Sequence, residues 1–192
     1  GLGVASAGAG WVGRRRGAVL GEVMPHNGAL WTANEARADA QGRPCSTLTG
    51  PPYRYRRIGE LLAAQAQHDR ASFQRMQLDV FSGQAARLLP GFRAAMPAGP
   101  LRDALDTWDM RYSLDAPGAT AFDITYRRAR MGLADRFGGD WFVRSMEESE
   151  LAVWWMRGID AALEAEAPER LAQAFAPVAH VQPTAWRSAR SW

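Results

Sequence analysis

Four polar side chains with possible chemistry, Asn34, Glu35, Arg37 and Arg54, fall within the stretch Gly28 to Glu60. Asn34 closes the run Ala29-Leu30-Trp31-Thr32-Ala33, which reads as a short buried strand. A side-chain amide held on a rigid strand end can donate its N–H to a developing oxyanion, and one such donor is worth roughly 3–4 kcal/mol in acyl transfer. On its own, an Asn at a strand end is more often a turn residue. Arg54 opens the next helix and could face the same cleft; taken alone, Arg54 to Arg57 is a solvated helix face.

Other reactive side chains have simpler explanations. His26, His68 and His180 lie far apart and outside any H-E-x-x-H pattern, so surface positions and no metal site are expected. Cys45, in a polar loop without a placed histidine, reads as incidental. Asp106, Asp109 and Asp115 read as surface hydrogen-bonding groups, although a carboxylate pair could do acid–base work. Glu147, Glu148 and Glu150 open a helix, where the macrodipole favours negative charge. Gln77 and Asp79, beside Met76 and Val80, read as partly buried groups bonded to neighbouring backbone. Gly8, Gly10 and Gly13 match G-x-G-x-x-G, but no strand run precedes them and no apolar-periodic helix follows.

The elements that must position these residues come from a chain of 192 residues, enough for one domain with a real core. All 23 basic side chains are arginine, consistent with a GC-rich coding bias, and the net charge of +3 does not argue for a nucleic-acid partner. One cysteine excludes an internal disulfide framework and a multi-Cys zinc site. No apolar run is long enough to span a membrane. Gly1 to Gly10 lacks an initiating Met and a charged leader region, and the chain ends on Pro-Thr-Ala-Trp-Arg-Ser-Ala-Arg-Ser-Trp, so a fragment is expected.

Residues 1–27 are Gly-punctuated, with Arg14 to Arg16 as a loop charge cluster. Met24 to Gly28 reads as a turn, and residues 35–52 as a polar loop. Pro51-Pro52 leads into a helix near Tyr53 with Ile58, Leu61, Leu62 and Ala66 on one face. Residues 69–81 form a helix capped by Asp69 or Ser72. Gly83 to about Met96 forms another that Pro90 should kink or break. Leu101, Leu105, Trp108 and Tyr112 make an apolar stripe, and Asp115 to Gly118 a turn. Long helices are expected from Ala119 to Phe137, stopped by Gly138-Gly139, and from Glu147 to Ala165. A last short helix runs from Pro168 to Phe175. The fold class is therefore mainly α with one or two short strands.

Taken in order, G-A-L-W-T-A-N, P-P-Y-R-Y-R-R-I-G-E-L-L, S-F-Q-R-M-Q-L-D-V-F-S-G-Q-A-A-R-L-L-P and L-D-T-W-D-M-R-Y-S-L-D resemble the middle of the catalytic β-chain of the penicillin acylase family. The resemblance covers roughly Gly10 to Phe137 and fades toward Trp192. It implies a partial β-chain over 1–192, with a Gly-rich and strand segment at 1–34 and a helical subdomain at 53–175. It also implies the helical part of an N-terminal-nucleophile hydrolase of αββα fold. Such enzymes cleave amide bonds in N-acyl substrates such as β-lactam side chains or acyl-homoserine lactones. The precursor cuts itself so that a Ser becomes the first residue of the β-chain, and its α-amine serves as base. By the resemblance, Asn34 is the oxyanion-hole side chain and Arg54 the cleft arginine, while Gln77, Asp79, Trp108 and Asp109 are architectural. The acyl pocket is not readable; Met76, Phe81 and Trp154 either touch it or belong to the core.

This sequence departs from the family pattern. Gly1 carries no nucleophile and Ser6 is too close to Asn34, so the nucleophile is expected outside this chain. Glu35 stands where a second Asn is common. No cofactor is expected in this chain; the family's structural calcium would find most ligands missing, with Asp39 a poorly placed candidate. The expected partners are the α-chain and the rest of the β-chain, with a small N-acyl amide as substrate. A periplasmic or secreted location is implied by the resemblance alone. The alternative is a non-catalytic helical remnant or interaction protein.

Overall fold

Proline and short polar side chains set where the helices begin. In the computed structural model, residues 2–4, 11–14, 28–33, 35–38, 41–42, 44, 49–142, 144 and 152–189 are described. Two short strands, β1 (Leu2–Val4) and β2 (Trp11–Arg14), pair antiparallel, with Leu2 opposite Arg14 and Val4 opposite Trp11. The helices are α1 (Tyr53–Ala63), α2 (Arg70–Gln77), α3 (Gly83–Ala95), α4 (Pro100–Asp106), α5 (Pro117–Met131) and α6 (Ala134–Phe137). They are followed by α7 (Ala152–Glu164), α8 (Pro168–Phe175) and α9 (Trp186–Ala189).

Pro100, Pro117 and Pro168 each open a helix, where the missing N–H costs nothing. Asp69 and Ser72 act together at the start of α2. The Asp69 carboxylate accepts the Ser72 N–H at 2.7 Å, and the Ser72 hydroxyl accepts the Asp69 N–H at 2.9 Å. The Ser82 hydroxyl caps α3 by accepting the Ala85 N–H at 3.1 Å. Gly138, at φ 108°, ends α6 in the left-handed region.

The core lies between α3, α5 and α8. Phe92 stacks on Phe122 at 5.9 Å and meets Phe175 edge-on at 5.4 Å, and Trp108 closes on Phe122 at 5.5 Å. Leu101 and Leu105 of α4 and Ile159 and Leu163 of α7 complete it. Each large apolar side chain buried here contributes about 1.5–3 kcal/mol. Gly118 lets α5 approach Trp108: a Cβ there would stand 2.3 Å from the Trp108 Cβ.

Several expectations are corrected. The described strands lie in the Gly-rich head, and Ala29 to Ala33 form irregular chain rather than a strand, with Leu30 61% exposed. Arg14 belongs to β2, while Arg15 and Arg16 lie outside the described residues. Helix α1 stops before Ala66, and α2 ends at Gln77, leaving Phe81 in a bridge with Arg111. Pro90 neither ends nor splits α3, because it faces solvent, where water can take the carbonyl it leaves free. The stripe through Trp108 and Tyr112 is helical only to Asp106; beyond it the chain turns, with Met110 at φ 62°. Gly118 belongs to helix α5, not to a turn, and that helix breaks after Met131 before α6. The helix ending near Ala165 is described from Ala152, so Glu147, Glu148 and Glu150 lie outside the described residues. The short helix at Pro168 is followed by α9.

Candidate functional site

Helix α1 differs from α3, α5 and α8 in burying no residue completely. Its exposed side forms one wall of a cleft of about 950 Å³. Ile58, Leu61 and Leu62 of α1 line it, as do Met76, Val80 and Phe81. Gly28 to Trp31 line it too. Polar groups enter at Arg54, Arg57, His68, Asp79 and Gln84. A mostly apolar cavity of this size with a few polar groups is suited to a small organic ligand.

The segment before α1 rests on the helix through Trp31. Its indole N–H donates to the Tyr55 carbonyl at 3.0 Å, and its ring stacks on Tyr55 at 5.4 Å. Gly59 makes the approach possible, since a Cβ there would lie 2.9 Å from the Trp31 ring. Beyond Trp31 the chain is pinned by Glu35. Its carboxylate accepts the Ala33 N–H at 2.7 Å, the Thr32 hydroxyl at 3.0 Å and the Arg37 guanidinium at 2.5 Å. Burial works against the charge of Glu35, but these bonds outweigh it and hold its pKa down at about 2.

One turn into α1, Arg57 donates to Asp79 at 2.7 and 3.2 Å, and Arg111 donates to the same carboxylate at 3.0 Å. The bonds from Arg57 lower the Asp79 pKa against the opposing effect of burial. Two backbone bonds carry Arg111 there: Ser82 N–H to the Met110 carbonyl at 2.9 Å, and Tyr112 N–H to the Val80 carbonyl at 2.9 Å.

Behind the cleft wall lies Asp160 of α7, 0% exposed. Its carboxylate accepts the Tyr53 hydroxyl at 2.7 Å, the Tyr126 hydroxyl at 2.9 Å and the Gln84 amide at 3.0 and 3.1 Å. Arg87 reaches the Tyr53 oxygen at 3.4 Å and also holds Glu164, its Nε at 3.0 Å. Burial, reinforced by Asp160, pushes the Tyr53 phenol up to about 12, and the same causes raise that of Tyr126. Both tyrosines are therefore neutral donors at physiological pH.

Asn34 lies outside the described residues, as do Ser6, His26, Asp39 and Cys45. The described segment leading to Asn34 shares the cleft with Arg54, which is exposed and whose guanidinium makes no hydrogen bond or ion pair among the described residues. His180 is exposed, but His68 is half-buried in the cleft wall, its ring bonded to the Leu62 carbonyl at 2.9 Å. Asp79 binds arginines rather than neighbouring backbone, and Gln77 is exposed. Met76 and Phe81 line the cleft, outside the buried core, while the Trp154 side chain lies outside the description. Asp106 and Asp109 make surface bonds, to Arg102 and to the Arg111 N–H.

Asp160, Tyr53, Gln84, Tyr126 and Arg87 were not marked by sequence reasoning. The available signal was a carboxylate on the face of Ile159 and Leu163, an apolar stripe on which a charge needs partners. Among the described residues, no group of three or more His, Cys, Asp or Glu side chains could hold a metal ion. No described helix is long and apolar enough to cross a membrane.

The described residues form a mainly helical unit with a mostly apolar cleft that a few polar groups enter. Residues 16–192 match the family model for penicillin amidase, and the chain belongs to that family of amidohydrolases. No curated protein and no solved structure matches the chain.

Proposed function

We propose that this chain is part of a penicillin acylase-type enzyme that hydrolyses linear amide bonds in N-acyl substrates, β-lactam side chains or acyl-homoserine lactones among them. The whole enzyme has the αββα N-terminal-nucleophile fold, of which this chain is a helical part. Its nucleophile is the Ser that heads the mature β-chain, outside this sequence. That hydroxyl attacks the acyl carbon while the α-amine takes its proton. The amine product leaves with a proton, and water then releases the acyl group. Asn34 donates to the oxyanion of the tetrahedral intermediate, and Arg54 shapes the potential of the cleft. The α-chain and the rest of the β-chain complete the site, and a periplasmic or secreted location follows from the same reading.

The observation that carries this reading is the shared cleft. In a chain of this family, the segment leading to Asn34 and the start of α1 with Arg54 border one apolar space. The test is made in the complete, processed enzyme with a chromogenic phenylacetyl or fatty-acyl amide. Asn34→Ala is expected to lower the acylation rate by about 10²–10³-fold with little change in KM. An unchanged rate overturns the oxyanion assignment. Turnover by this chain purified alone overturns the placement of the nucleophile elsewhere.

A further inference from the structure

Helix α1 starts without a local cap. Its N-cap is Pro52, which offers no side-chain hydrogen bond, and Pro51 precedes it. No residue of α1 is fully buried, so interdigitation in the core does not align it. Its attachments are directional instead: Tyr53 to Asp160, Arg57 to Asp79, and the Trp31 indole to the Tyr55 carbonyl.

The first of these attachments is the most firmly based. Asp160 is fully buried on α7, beside Ile159 and Leu163 of the core. Gln84 of α3 and Tyr126 of α5 hold the same carboxylate, so three core helices converge on it. Its remaining described bond goes out to the first residue of α1. The Tyr53 side chain is also packed against α3, where a Cβ at Gly83 would sit 3.3 Å from its own Cβ. Arg54 is the next residue along, and among the described residues no bond to its guanidinium fixes where it points. Its place in the cleft therefore comes from the backbone that Tyr53 anchors.

We propose that Tyr53 and Asp160 are positioning residues, which fix the start of α1 and so the direction from which Arg54 enters the cleft. This inference rests on the proposed role of Arg54. It assigns the buried carboxylate a part in turnover without contact with substrate. A hydrogen bond to a buried charge is strong enough to hold such a geometry. Misplacement of a supporting group lowers the rate of a reaction that depends on orientation.

The test uses the complete, processed enzyme and the same chromogenic amide. Arg54→Ala, Tyr53→Phe, the double variant and Asp160→Asn are compared by kcat, KM and thermal unfolding. Tyr53→Phe keeps the ring against Gly83 and removes only the hydroxyl. It is expected to lower kcat roughly tenfold with KM nearly unchanged. In the Arg54→Ala background the same change is expected to have no further effect, because what it positioned is gone. Asp160→Asn keeps an acceptor for Tyr53 and is expected to fall between wild type and Tyr53→Phe; if it does not fold, the Tyr53→Phe cycle stands alone. If Arg54→Ala slows turnover but Tyr53→Phe changes only the unfolding temperature, or the two effects multiply, the positioning role is overturned. If Arg54→Ala is silent while Asn34→Ala is not, the role of Arg54 fails and the positioning role with it.

Discussion

The Tyr53 hydroxyl donates at 2.7 Å to the Asp160 carboxylate, joining two residues 107 positions apart. The bond runs from the wall of the cleft into the core. Tyr53 is half-buried and lines the cleft, whereas Asp160 has no exposed surface and also holds Gln84 and Tyr126. A carboxylate in that position is tolerated because the Tyr53, Tyr126 and Gln84 donors satisfy its oxygens.

Asp160→Ala leaves two phenol hydroxyls and an amide without their acceptor. Each buried donor stranded in this way costs about 1–3 kcal/mol, and Tyr53 can recover part of its share from water. The expected loss is about 3 kcal/mol, read from the shift in the denaturant midpoint of the purified protein. Asp160→Asn should cost less, since Gln84 can turn its carbonyl toward the new amide. A loss below about 1 kcal/mol for the alanine variant would mean the carboxylate anchors nothing.

Gly118→Ala tests the seat of Trp108. The added Cβ would stand 2.3 Å from the Trp108 Cβ and 2.4 Å from Cγ, atoms near the backbone that cannot swing away. Trp108 is held by its indole bond to the Arg111 carbonyl at 2.9 Å and by Phe122. Overpacking of this kind costs about 1–3 kcal/mol or more. Gly91→Ala, where nothing lies within 4 Å, is the control and should keep or raise stability, by up to about 1 kcal/mol for an exposed helix position. Equal unfolding temperatures for the two variants would refute the close contact.

The Glu35 carboxylate makes stability depend on pH in the acid range. Its pKa falls from 4.5 to about 2 despite burial, through the Ala33 N–H, Arg37 and Thr32. The folded chain therefore binds this proton less tightly than the unfolded chain. The contribution is complete above about pH 4.5 and is lost as pH falls toward 2. Asp79, lowered by Arg57 and Arg111, has the same sign below its ordinary 3.8. Glu35→Gln should flatten the loss of stability between pH 5 and pH 2, measured by denaturant unfolding at each pH. A profile parallel to that of the wild type would show that the bonds to Glu35 do not persist in solution.

The helix starts at Asp69 and Pro168 were legible because caps and prolines act through neighbours a few residues away. The family was legible for a similar reason, since its signature lies in contiguous segments. The Asp160 cluster was hidden because its partners stand 34, 76 and 107 residues distant, and nothing local in Gly158-Ile159-Asp160-Ala161 marks a buried charge as satisfied. Pro90 misled because propensity assigns it a break, while its cost depends on which side of the helix it faces. Ala29 to Ala33 misled for a related reason: its apolar run suits a strand, but Trp31 packs on α1 through its indole bond and stacked ring instead.

That contact gives the last prediction. The Trp31 ring sits where a Cβ on Gly59 would lie 2.9 Å from it, so Gly59→Ala must move either the indole or the helix. The helix is held by Asp79 and Asp160, and the segment around Trp31 meets it through the Trp31 indole bond and the stacked Tyr55 ring. The segment should give way, and Asn34 follows Trp31 by three residues. In the complete enzyme, Gly59→Ala is therefore expected to lower the acylation rate by about tenfold or more if Asn34 is the oxyanion donor proposed above, since that donor would be misplaced. Stability should fall by less than about 1 kcal/mol, because no core contact is lost. Stopped-flow acylation and thermal unfolding on the same preparation separate the two effects. A variant that acylates normally would show that Trp31 does not set the position of Asn34.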